Sequence, residues 1–185
     1  MRLALRTAAL LAIAGAIPAA VASADSFTPV GLDVGVAAVA RLHQPLAVTV
    51  HVTADAGMLD SRTAPLRIQV KLAHECGGNF QYTSGVVLLD KQLNPQPTTG
   101  HAYSALAHGS GRPAGYGAEM VCTYLEEEGD DRVFANDEMI STDVSKACTS
   151  AAAHYDHLRR VRAHRARLEA AHRAARHACG AGVPL

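Results

Sequence analysis

Leu46-Ala47-Val48-Thr49-Val50-His51-Val52-Thr53-Ala54 alternates without a break, placing Leu46, Val48, Val50 and Val52 on one face and Thr49, His51 and Thr53 on the other. Successive side chains of a strand point to opposite faces, so this is the pattern of an antiparallel strand with one face on a core and one in water. Leu66-Arg67-Ile68-Gln69-Val70-Lys71-Leu72 repeats it. Pro45 and Pro65 stand just ahead of the two runs, where a missing N–H does no harm to a ladder.

Working outward, strands are predicted at Gly85 to Lys91, His101 to His108, Ala118 to Glu126, Arg132 to Asn136 and Met139 to Val144. Turn signals separate them at Asp55-Ala56-Gly57, Gly77-Gly78-Asn79, Asn94 to Pro97 and Gly109 to Pro113. Short strands at regular spacing, with no helical pattern among them, predict a mainly β chain: an immunoglobulin-like antiparallel β-sandwich with Greek-key connections over residues 25–147. The chain has no tryptophan, and Met120 stands two residues before Cys122 where antibody domains carry tyrosine, so the likeness is one of architecture.

The four cysteines, Cys76, Cys122, Cys148 and Cys179, include no Cys-x-x-Cys pair, which argues against a thioredoxin-type site or a zinc knuckle. Counting in twos from Leu72 puts Cys76 on the inward face if that strand persists, and Cys122 shares a face with Met120 and Tyr124. This phase pairs Cys76 with Cys122 as a bridge between neighbouring core strands.

Residues 148–179 are rich in alanine and arginine with no internal glycine or proline, the composition of helix. At 100° per residue, Ala151, Tyr155 and Leu158 define one apolar stripe, while Leu168, Ala171, Ala175 and Ala178 define another displaced by well over a right angle. A helical hairpin folded near Arg162 to Arg165 reconciles the stripes. A straight helix would hold Cys148 and Cys179 more than ~40 Å apart, whereas a hairpin brings them to bonding distance. Against the hairpin, Arg162-Ala163-His164-Arg165 contains no turn-forming residue, and a single exposed helix is the competing reading. Residues 180–185 are expected to form a disordered C-terminus.

Arg2 and Arg6, the apolar run Thr7 to Val21 and the small-x-small Ala22-Ser23-Ala24 read as an export signal over residues 1–24, cleaved after Ala24. The run is too short to span a bilayer, and no later segment predicts a transmembrane helix. A secreted, extracellular chain in an oxidising compartment is therefore expected, with both cysteine pairs as disulfides.

A formal net charge of zero hides a segregation. Asp25 to Cys148 carries eight bases against fifteen acids, a balance of −7, and the segment from Thr149 carries seven arginines against Asp156 and Glu169, a balance of +5. Those arginines, Arg159, Arg160, Arg162, Arg165, Arg167, Arg173 and Arg176, suit an anionic polymer or a membrane surface. By helical angle they surround the axis, the arrangement of solvated helix faces, and Tyr155 is the one aromatic among them, which argues against specific nucleic-acid recognition and against membrane insertion alike. The opposite charges, helped by Tyr155, Leu158, Val161 or Leu168, predict that the tail packs against or beside the body.

Other candidates are weaker. His154 and His157, spaced i and i+3, reach a common metal ion but lack a third ligand. The run Glu126-Glu127-Glu128-Gly129-Asp130-Asp131 lacks the spacing of a dedicated calcium loop and reads as a solvated acidic turn, with calcium as the alternative. Gly109 to Gly115 precedes a strand pattern rather than a helix, so it is a turn and not a phosphate cradle. No Gly-x-Ser-x-Gly or His-Glu-x-x-His anchors a catalytic site. No catalytic residue, metal or cofactor is assigned.

Three stretches, Thr63 to Gly78, Gly109 to Pro113 and Tyr124 to Asp131, resemble uncharacterised secreted proteins of high-GC bacteria in which an immunoglobulin-like β domain precedes a cysteine-bounded, arginine-rich helical tail. The resemblance implies export and this architecture, and carries no activity or functional residue. The functional expectation is a non-catalytic, secreted or envelope-associated binding or structural module. Its alternatives are a polyanion or membrane-surface binder acting through the tail and, more remotely, a hydrolase on the sandwich; an envelope protein or an anionic polymer is the expected partner.

Overall fold

The computed structural model describes residues 30–60, 62–129, 133–180 and 183–185. The expected signal, residues 1–24, lies outside these, as do Asp130, Asp131 and Arg132. Eight strands are followed by two helices: β1 (Val30–Val36), β2 (Val39–Ala40), β3 (Leu46–Ala54), β4 (Leu66–Ala73), β5 (Val86–Gln92), β6 (Tyr103–Gly111), β7 (Gly117–Glu127), β8 (Val133–Val144), α1 (Lys146–Arg160) and α2 (Arg165–Cys179). They form a mainly β sandwich of a three-stranded sheet, β1-β3-β6, and a five-stranded sheet, β2-β8-β7-β4-β5. A helical hairpin follows. All pairings are antiparallel except the two-residue parallel contact of β2 with β8.

The alternating runs form elements as expected: Val48, Val50 and Val52 of β3 meet Ile68, Val70 and Leu72 of β4 in the inter-sheet core. Burying each such side chain contributes about 1.5–3 kcal/mol. Two strands before Leu46 were not predicted. β1 carries its own alternation, Val30, Leu32, Val34 and Val36, but Gly31, Asp33 and Gly35 between them dilute the strand signal. The strands predicted at 132–136 and 139–144 are one element, β8, whose ladder with β7 shifts register between Glu119 and Met120 and again between Leu125 and Glu126.

Two further expectations are corrected. Gly109-Ser110-Gly111 is the last part of β6 and not a turn. A Cβ on Gly109 would overlap the Leu88 carbonyl, and one on Gly111 would lie 2.5 Å from the Val87 carbonyl. Glycine thus lets β6 close against β5 where the two sheets meet. The Cys76–Cys122 bond exists, with Cα atoms 5.5 Å apart, but it lies on the outer face of the five-stranded sheet and not on the inward face. β4 ends at Ala73, so the count in twos fails before Cys76. Val121 and Leu125 face the core, whereas Cys122 and Tyr124 face outward with Ala73, under a cap that includes Cys76 and Phe80.

This cap, the chain from His74 to Ser84, covers the outer face of β4 and β7 through polar contacts. Tyr124 Oη donates to Gly77 O at 2.8 Å and lies 2.5 Å from Thr83 Oγ1. Lys71 Nζ donates to the carbonyls of Phe80 and Thr83, each at 2.7 Å, with its charge 4.0 Å from the Phe80 ring centre. Glu126 Oε1 accepts from Phe80 N at 2.7 Å.

Candidate functional site

The hairpin is built from two fifteen-residue helices joined across residues 161–164. Ser145 caps α1, its Oγ accepting from Cys148 N at 3.1 Å. At the other end the chain reverses through Arg162 in the left-handed region, φ 52°. Ala163 N donates to Leu158 O and Arg162 N to Arg159 O, the paired bonds of a Schellman motif with arginine where glycine is usual. His164 then caps α2, its Nδ1 accepting from Ala166 N at 3.4 Å, a long bond. The predicted fold-back at Arg162 to Arg165 is thus present without a turn-forming residue.

Ala152, Ala171 and Ala175 are buried between the helices, small enough for close approach, and the Cys148–Cys179 bond closes the base with Cα atoms 4.6 Å apart. Tyr155 packs on His172 with ring centres 5.0 Å apart. Contact with the body is at this base: Ser145 N donates to Ala40 O at 3.1 Å, and Leu42 N donates to Thr149 Oγ1 at 3.1 Å. The apolar contacts expected to dock the hairpin are not what holds it there: Tyr155 packs on His172 within the hairpin, Tyr155, Leu158 and Leu168 are half-buried rather than buried, and Val161 is exposed.

All seven arginines of the hairpin are exposed. Folding back gathers Arg159, Arg160, Arg162, Arg165 and Arg167 at the tip, about 22 Å from the base, while Arg173 and Arg176 sit nearer the staple. Arg165 Nε pairs with Glu169 at 2.8 Å, and the Arg159 guanidinium lies 5.8 Å from the Tyr155 ring centre. Among the described residues, the six arginines other than Arg165 have no carboxylate partner. Helical angle alone spreads these charges around an axis; the reversal at residues 161–164 concentrates five of them at one end.

The remaining candidates are not brought together. His154 and His157 are exposed, and among the described residues no three His, Cys, Asp or Glu side chains converge as metal ligands. The acidic run is not a solvated turn at its start, because Glu126 and Glu127 are buried. Glu127 Oε1 accepts from the backbone N–H groups of Thr63 and Ala64 and from Thr63 Oγ1, and Glu128 accepts from Arg67 and Gln92. These carboxylates are oriented by donors of the protein itself. On the outer face of β3 and β6, His51 Nε2 lies 2.8 Å from Ser104 Oγ and His108 Nδ1 3.1 Å from Thr49 Oγ1. Asp33 is opposite His51 in register, but among the described residues no side-chain hydrogen bond or ion pair joins the two.

Both disulfides fit an oxidising, extracellular environment, and no helix among the described residues is long and apolar enough to cross a membrane. No protein-family model matches the chain, and no protein of curated function is significantly similar to it.

Proposed function

We propose that this is an exported, non-catalytic binding module in which the sandwich is a scaffold and the hairpin tip takes an anionic polymer. The observation that carries the reading is the concentration of Arg159, Arg160, Arg162, Arg165 and Arg167 at the tip of a disulfide-stapled projection, with one of the five engaged by a carboxylate. Guanidinium groups present planar, permanently charged forks to phosphate or sulfate oxygens. Held on two short helices, they lose less freedom on binding than the same arginines on a loose tail. Extended polymers suit the tip better than a flat membrane, since it exposes Val161 and no aromatic ring for insertion.

Linear inorganic polyphosphate is the probe. Neutralising about five phosphates releases their counterions, so affinity is expected to fall about 10²–10³-fold between 50 and 200 mM salt. Glutamine at all five tip positions should abolish binding, and glutamine at Arg173 and Arg176 should leave most of it. Equal losses from the two variants, or binding insensitive to salt, would return the protein to a structural role with an envelope protein as partner.

A further inference from the structure

At the end of the sandwich nearest the hairpin base, a cleft of about 410 Å³ opens between β2, the start of β3 and the C-terminal residues. Ala37, Val39, Ala40, Leu46, Ala47 and Val183 give it walls of hydrocarbon. Its volume lies within the roughly 300–1,000 Å³ of small-molecule sites. One cation enters this lining, Arg41, with Gln44 beside it.

The guanidinium of Arg41 is incompletely satisfied. Its Nη2 donates to the Pro184 carbonyl at 2.5 Å, drawing the C-terminal residues onto the rim, whereas Nε is buried with no hydrogen-bond partner among the described residues. A buried N–H of a charged group without an acceptor is unfavourable, and an anion on the guanidinium relieves it. A phosphate would bring a second charge with no second cation to meet it; a carboxylate matches the single guanidinium.

We infer that the cleft binds an aliphatic carboxylate, its headgroup on Arg41 and its chain along Val39, Leu46 and Val183. The carboxylate takes the place of, or shares Nη2 with, the Pro184 carbonyl, and Nε becomes its second donor as the side chain turns toward the cleft. This site is on the body, apart from the polyanion surface proposed for the hairpin tip, and the two stand or fall separately.

The test is calorimetric titration of the intact protein with dodecanoate below its micellar concentration, with dodecanol as the neutral counterpart. One dodecanoate per chain is expected, bound at least tenfold tighter than dodecanol. Ala47→Trp, at an exposed position on the cleft wall, should weaken both ligands about tenfold or more. Arg41→Gln should erase the preference for the carboxylate while holding dodecanol within twofold, and Arg41→Lys should keep part of the preference. Absence of saturable binding, or dodecanoate binding untouched by Ala47→Trp, would overturn the site. If Arg41→Gln and Arg41→Lys both lose the two ligands equally, Arg41 is structural and the carboxylate assignment fails.

Discussion

The body and the hairpin use the same charged side chains in opposite ways. In the sandwich, Glu126 and Glu127 are buried and organise neighbouring loops, and Arg67 sits between Asp90 and Glu128, each at 2.8 Å. The hydrogen bond to Asp90 is the main influence raising the Arg67 pKa above its ordinary value. In the hairpin, every arginine is exposed and little but Glu169 answers them. Charge in the body is part of how the chain folds; charge in the hairpin is left for something outside the chain. The disulfides differ in the same sense. Cys76–Cys122 fastens a cap to a sheet that already has a large core, whereas Cys148–Cys179 closes two short helices whose interface is mostly alanine.

That difference predicts the largest effect. Isolated helices of fifteen residues are marginal in water, and the staple closes a loop spanning 31 residues. On the chain-entropy model it contributes about 3–4 kcal/mol. Replacing Cys148 and Cys179 with alanine should remove most of the helical circular-dichroism signal while the sandwich still melts cooperatively. If helicity survives intact, the alanine interface is stronger than its small area suggests and the contrast between the two regions is lost.

A second test probes charge as a structural element of the body. Glu127→Ala leaves two backbone N–H groups and the Thr63 hydroxyl without their acceptor, and about 2–4 kcal/mol should be lost in urea denaturation. Glu127→Gln keeps a carbonyl oxygen there and should lose distinctly less. An alanine variant as stable as the parent would mean that the acidic run serves the surface after all.

These two regions were not equally legible in sequence. The alternation of β3 and β4 is imposed by the inter-sheet core on one face, while the cap meets β4 on the other through polar side chains such as Lys71, so those strands, the sandwich and the partners in each disulfide followed from residue order. The face occupied by Cys122 did not follow, because β7 is buried on both sides from Val121 to Glu127 and a doubly covered strand has no polar face to set its phase. Buried glutamates read as solvated for a related reason: their acceptor role depends on Thr63, Ala64 and Phe80, distant in sequence. For the tip, the arginines were visible as residues, but their convergence depends on where the helix reverses, and that turn lacks the glycine that would have marked it.

The missing glycine supplies the smallest prediction, of opposite sign to the others. Arg162 holds φ 52°, where a side chain costs an L-residue roughly 1–2 kcal/mol, because its two Schellman bonds and the staple fix the reversal around it. Glycine at this position removes that strain, while its freer unfolded chain offsets part of the gain. Arg162→Gly should therefore stabilise the hairpin by about 0.5–1 kcal/mol, read as slower amide exchange across residues 158–168. It should also weaken polyphosphate binding by one contact's share of the salt dependence. A variant that is more stable and binds less well would show that arginine holds a strained position for its charge. One that is less stable would assign Arg162 a contact in the turn that outweighs its backbone strain, and would move the hairpin tip toward the body's way of using charge.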